Sequence, residues 1–214
     1  PMDPGAVGVV GSAGTSEALF WLFLAAAVRV GAAVGFLNGI LIAVVGIPSI
    51  IATLATLFVF EGLSLIVGNG LQYSLRGIDA YWSFHVLSGR LLGIPMQAVW
   101  AAAVAVLMWA ILNRHRFGEH LLFIGDNQNV ARVVGIRVNR EKIKLFTMMG
   151  AIAAFAGVLV TLENKNFYTT QGTSWLLTVM AAVFIGGTAI SGGKGSVVGT
   201  FFGTYIVGCI EAGI

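Results

Sequence analysis

Charge is what this sequence has least of. Asp, Glu, Lys and Arg make up 10% of it, where an average soluble domain carries roughly a quarter. Such a chain cannot cover a water-facing surface in the ordinary way, and it is too poor in charge to be a solvated, disordered segment. Cysteine is nearly missing as well. Cys209 stands alone in an apolar run, which excludes a disulfide scaffold and reads as a buried thiol between helices. The three histidines (His85, His115, His120) fall in expected loops and form no helical ligand pair, so spacing supports no metal centre. No Ser-His-Asp or Cys-His grouping can be built either, and neither a cofactor nor catalysis of the chain's own is expected. What is present is apolar: 57% of the residues are hydrophobic and 29 are glycine, a composition for which lipid is the natural solvent. The formal net charge of +3 does not point to nucleic acid, because in a polytopic membrane protein basic residues mark cytoplasmic loops.

A span needs about 20 mostly apolar residues, since roughly 30 Å of hydrocarbon is crossed at about 1.5 Å per residue. Residues 18–45 (apolar but for Arg29 and Asn38), 47–67, 91–112 and 145–162 qualify. Pro48 suits the first turn of the second, and Pro95 lies where the third opens. Two shorter apolar cores, 176–190 and 197–210, flank Lys194. They read as two short helices joined by a tight hairpin, or as a broken segment buried among the others. Residues 4–16 are apolar but Gly-rich and too short to span. The expected fold class is all-α, a polytopic transmembrane helical bundle of about six spans in one domain over residues 1–214, with short broken helices near the C-terminus. The opening Pro1-Met2-Asp3-Pro4 has no basic n-region or h-region of a secretory signal, and the chain ends just after an apolar run, so it reads as a fragment of a longer membrane protein.

Orientation follows from the basic residues. Loop 113–144 holds Arg114, Arg116, Arg132, Arg137, Arg140, Lys142 and Lys144, seven of the twelve Lys and Arg. The positive-inside rule places it in the cytoplasm, and alternation then puts 68–90 and 163–175 outside and the Lys194 hairpin inside. With Lys194 the inner loops hold eight basic residues, the outer loops three (Arg76, Arg90, Lys165), and Arg29 stays within a span.

Within the inner loop, Asn127 is a good N-cap and Gly135 a good C′ residue for a helix of about two turns. Val130, Val133 and Val134 share one face of it, with Arg132 directed elsewhere. A second helix start is signalled at Asn139, with Glu141 near its positive end. Such an amphipathic element either docks into a groove of a soluble partner or lies on the membrane with its basic residues toward anionic lipid. The run from Gly186 to Ser196 invites comparison with a phosphate-binding loop and fails it. Thr188 stands where glycine is required, and Gly195 follows Lys194 where Ser or Thr is required. A sharp glycine turn is the reading that remains. Beyond it Gly195, Gly199 and Gly203 recur at four-residue spacing, a small-residue ridge for close helix packing or for a subunit contact. On the second span Ser49, Thr53, Thr56 and Ser64 form a polar stripe with Glu61 at its edge, and Asn38 lies on the span before. These groups suit a path for a polar uncharged solute, or hydrogen bonds between helices. Arg29 at membrane depth is expected to face the interior or a cavity, or to snorkel.

Three stretches in the right order resemble the permease subunits of ribose/xylose-type ABC sugar importers. The first is Asn38-Gly39 through Ile47-Pro48-Ser49, Thr53-Leu54, Thr56-Leu57 and Gly62-Leu63. The second is Phe117-Gly118 with Gly125, Asn127, Ala131-Arg132, Gly135-Ile136 and Val138. The third is Gly186-Gly187-Thr188 through Gly192-Gly193-Lys194-Gly195-Ser196, Gly199 and Thr200. Val130 and Asp126 depart from the usual alanine and glycine, and Asp3 to Val7 echoes a further motif faintly. The resemblance implies a subunit without catalysis, in the bacterial inner membrane. Gly125, Asn127, Ala131, Arg132, Gly135 and Ile136 would form its coupling loop to a cytoplasmic ABC ATPase. It further implies an extracytoplasmic sugar-binding protein and a second permease subunit, the same or a close relative. A branched-chain amino-acid ABC permease and an ion-gradient-driven secondary carrier are the alternatives.

Overall fold

The structure, a computed structural model, describes residues 13–75, 81–91, 93–189 and 192–213. The faint motif at Asp3 to Val7, Arg76, and Ser191 of the glycine turn lie outside them. Helix α1 (Ala13–Ile40) runs on into a π-helical turn, Leu41–Val45, which ends where Gly46 turns left-handed at φ 85° and its N–H closes on the Leu41 carbonyl. Pro48, extended at ψ 134°, then opens α2 (Ser49–Val67). A short strand β1 (Tyr73–Ser74), helix α3 (Trp82–Ser88) and a tight hairpin of β2 (Arg90–Leu91) on β3 (Ile94–Pro95) lead to α4 (Met96–Arg114). Residues 91 and 93–95, expected at the head of the third span, thus belong to this hairpin. The remaining elements are α5 (Arg116–Asp126), α6 (Gln128–Val133), α7 (Val138–Asn164), β4 (Asn166–Phe167), α8 (Trp175–Ile185) and α9 (Val197–Gly213).

Among the described residues, four helical segments are long and apolar enough to cross a membrane: Glu17–Val45, Ser49–Val67, Met96–Arg114 and Val138–Asn164. Helices α8 and α9 are apolar but shorter, as the two short runs of sequence led one to expect. The long helices are almost bare of buried residues, because lipid and not protein covers most of their sides. Cys209 is likewise exposed on α9 and not enclosed between helices.

Antiparallel α1 and α7 form the tightest pair. A Cβ added to Gly35 would fall on the Phe146 carbonyl oxygen and lie 3.1 Å from Gly150 Cα; one on Gly39 would lie 2.8 Å from Ile143 Cα. Small residues alone permit such an approach in lipid, where packing and not the hydrophobic effect joins helices. At the far end of α7 a small core gathers Phe84 and Leu87 of α3 with Leu159 and Leu162. Trp100 seals its side, donating from Nε1 to the Val86 carbonyl at 3.1 Å with its ring edge-on to Phe155. At that same end Tyr73 pairs with Phe167, Ser74 with Asn166, and Glu17 accepts the Trp82 N–H at 2.8 Å. The loops grouped on one side by the basic-residue count therefore do share one end of the bundle.

Candidate functional site: the α5–α6 element at the opposite end

The other end is built by α5, α6, the start of α7 and the turn between α8 and α9. Asn127 caps α6, its Oδ1 accepting the backbone N–H groups of Asn129 at 3.0 Å and Val130 at 3.2 Å. The helix closes with the paired bonds of a left-handed glycine ending. Ile136 N donates to the Ala131 carbonyl and Gly135 N to the Arg132 carbonyl, both at 3.0 Å, with Gly135 at φ 89°. Ala131 is the side chain that α6 buries, in a small core with Ile124 and Val138, and Ile136 packs on the same cluster. Gly135, Ala131 and Ile136 are thus accounted for locally: turn, buried face and the apolar contact that accompanies such an ending.

The valine face is turned outward. Val133 is 89% exposed, Val134 71% and Val130 52%. Arg132 is exposed beside them, and with Arg137 and Arg140 it rims an open recess of about 660 Å³ between α6 and α7. Behind the recess Lys142 donates to Gln128 at 3.1 Å, tying α7 to the first turn of α6. Glu141 is buried at the root of α7; its Oε1 accepts from Lys144 at 3.1 Å and lies 3.9 Å from His120 Nδ1 of α5. The arrangement is a small, well-anchored helix that presents apolar and cationic groups to something outside the chain.

Helix α5 was not foreseen, although Phe117, Leu121 and Ile124 recur at i, i+4 and i+7, the periodicity that would have found it. His115 caps it by accepting the Phe117 N–H at 3.1 Å. Helix α7 starts at Val138, one residue before the expected Asn139.

The glycine turn at Gly192 and Gly193 lies directly against the α5–α6 joint. A Cβ on Gly125 would come within 2.5 Å of Gly193 N, and one on Gly192 within 2.8 Å of the Gly125 carbonyl oxygen. Ser196 then caps α9, accepting the Gly199 N–H at 3.1 Å. The expected packing ridge is two-thirds present. Gly199 and Gly203 abut the Gly186 and Ala182 carbonyls of α8, whereas Gly195 precedes α9 and meets only Thr188, at 3.5 Å. Having no helical phase, it cannot belong to the ridge.

The proposed solute-path residues are scattered in their contacts. Thr53 donates to the Ser49 carbonyl at 2.8 Å and Thr56 to the Thr53 carbonyl at 3.0 Å, so these hydroxyls bond to their own helix. Glu61 accepts from Thr173 at 3.1 Å, and the enclosed Asn38 Oδ1 has no partner among the described residues. Arg29 is exposed on α1. A groove of about 710 Å³, lined by α4, α7 and α9, is instead mainly apolar.

Comparison with known proteins adds the context. The ribose import permease protein RbsC of Bacillus subtilis (strain 168) is 36% identical over 178 residues, covering 83% of this chain and 55% of that protein. RbsC of Escherichia coli (strain K12) is 33% identical over 195 residues, 89% of this chain and 60% of the relative. The autoinducer 2 import system permease protein LsrD of Enterobacter sp. (strain 638) is 31% identical over 185 residues, 84% and 56% respectively. The chain therefore spans between about half and three-fifths of the length of these relatives. No solved structure matches it significantly. The family described as branched-chain amino acid transport system / permease component matches residues 5–214, and with four membrane-length helices among its described residues the chain belongs to that family as a multi-pass protein of the bacterial inner membrane.

Proposed function

We propose that this chain is the membrane-spanning part of an ABC import permease for a sugar, with α6 as the element on which a cytoplasmic ATPase acts. The observation that carries the reading is α6 itself: capped at both ends and seated on Ala131, yet with Val133 and Val134 open to an outside partner. Similarity to the ribose and autoinducer 2 import permeases favours a hydroxyl-rich solute. In this reading an extracytoplasmic binding protein delivers the sugar and a second permease subunit completes the pathway. Ser49, Thr53, Thr56, Glu61 and Asn38 line the path on their side of it. The family's description makes a branched-chain amino acid the second reading of the cargo.

The test is uptake into cells carrying the complete transporter. Arg132→Glu and Gly135→Pro should abolish sugar uptake or ATPase co-purification while membrane insertion stays normal. Normal uptake together with unchanged co-purification in both variants would refute the assignment of α6. Uptake by the unaltered transporter that persists after ATP depletion, with the ion gradient clamped, would favour a secondary carrier.

A further inference from the structure

Two helix pairs in this chain are joined by glycine, and they differ in how they reach α6. In the first, α1 lies on α7 through Gly31, Gly35, Gly39 and Gly150. In the second, α8 lies on α9: a Cβ on Gly186 would sit 2.5 Å from Thr200 Cα, and Gly199 and Gly203 abut α8 carbonyls. Between the pairs runs the groove of about 710 Å³, lined among others by Met108 of α4, Met149 and Phe155 of α7, and Val198 and Phe201 of α9. The first pair is continuous with α6 through the Gly135 turn. The second touches the α5–α6 joint through the seat of Gly192 and Gly193 on Gly125 and Asp126, where a Cβ on Gly125 or Gly192 would meet backbone within 2.8 Å and one on Gly193 would lie 3.1 Å from Asp126 Cα. Gly192 and Gly193 hold φ values of 87° and 75°, which glycine adopts at no steric cost. Contacts between backbones have no side chain to rotate out of the way, so they pass a displacement on and do not absorb it.

We infer that Gly125, Gly192 and Gly193 are positioning residues for coupled transport, forming the joint through which movement of α6 reaches the α8–α9 pair. A push on α6 then acts on both pairs at once and alters the groove between them. This inference rests on the reading of α6 as the ATPase contact.

Two variants of the complete transporter, reconstituted with its ATPase and binding protein, test it. Gly125→Val places methyls where a Cβ alone already meets Gly193 N at 2.5 Å. ATPase co-purification and ATP hydrolysis should persist while solute moved per ATP falls about tenfold, within the range of coupling mutations. An unchanged ratio overturns the inference. Should that variant fail to assemble, Asp126→Cys with Gly193→Cys, in a Cys209→Ser background, reads the seat directly. A Cβ on Gly193 would lie 3.3 Å from Asp126 Cβ, close to the span of roughly 3.5–4.5 Å that a disulfide bridges. Oxidation should cross-link the pair to the same yield at rest and during ATP turnover. No cross-link at rest, or a yield that changes during turnover, means the two sides of the seat do not move as one and overturns the inference. ATP-independent uptake by the unaltered transporter would refute the importer reading and the coupling role with it, while cross-link yield would still report on the seat.

Discussion

Replacing Gly35 by valine is the sharpest perturbation of the α1–α7 pair. A Cβ at this position would clash with the Phe146 carbonyl oxygen, lie 3.0 Å from its carbonyl carbon and 3.1 Å from Gly150 Cα. All three are backbone atoms, so no neighbouring side chain can move aside. Restoring van der Waals separation moves the helices apart by roughly 1 Å, and a gap of that size forfeits a quarter to a half of each atom pair's attraction. With on the order of 50 close pairs along the seam, near the number one buried leucine makes, at about 0.15 kcal/mol each, the loss is about 2–4 kcal/mol. That agrees with the roughly 1–3 kcal/mol found for overpacked cores. The assay is unfolding of the purified chain from mixed micelles by increasing mole fraction of SDS, followed by tryptophan fluorescence. Gly157→Ala is the control, because Gly157 lies on the partner helix α7 with nothing within 4 Å of its added Cβ. It should be neutral or stabilising by up to about 1 kcal/mol through helix propensity. A Gly35→Val protein as stable as the unaltered chain, or a Gly157→Ala protein equally damaged, would refute the claim that glycine contacts hold α1 to α7.

Other outcomes follow from the opposite end. Asn127→Ala removes the acceptor for two backbone N–H groups and should cost about 1 kcal/mol, read as roughly fivefold faster amide exchange in residues 128–133. Gly135→Asn should be nearly neutral, since its added Cβ meets nothing and Asn tolerates a positive φ, whereas Gly192→Asn should cost about 2 kcal/mol or more because Gly125 O is 2.8 Å from the new Cβ; thermal unfolding of the two compares them. Glu141→Lys should cost about 3 kcal/mol or more, for it buries a cation beside Lys144 and His120, while Glu141→Leu should change stability by under about 1 kcal/mol; SDS unfolding midpoints decide.

Much of this architecture was legible before any coordinates. Long uncharged runs require helices in lipid, so the four spans and the two short C-terminal helices could be read from residue type alone. The Asn127 cap and the Gly135 ending are equally local, since each is decided by a side chain or a φ value within a few residues. Helix α5 is harder to read from sequence because the charges of loop 113–144 surround its apolar Phe117, Leu121 and Ile124. The Gly31, Gly35, Gly39 ridge has the same four-residue spacing as Gly199 and Gly203, and spacing does not say which helix it meets. On the polar stripe of α2, backbone carbonyls of the same helix take up the Thr53 and Thr56 hydroxyls, a competition that periodicity does not display.

By itself, then, the sequence determined the solvent, the spans and the capped α6 helix, because composition and hydrogen-bond periodicity act over a few neighbouring residues. Only the tertiary structure decided which ridge meets which helix, that the valine face of α6 is left uncovered, and that Gly192 and Gly193 rest on Gly125 more than sixty residues away. A small-residue ridge reads the same whether it faces a helix of its own chain, another subunit or lipid. Its partner is settled by which surfaces the folded chain brings within van der Waals contact.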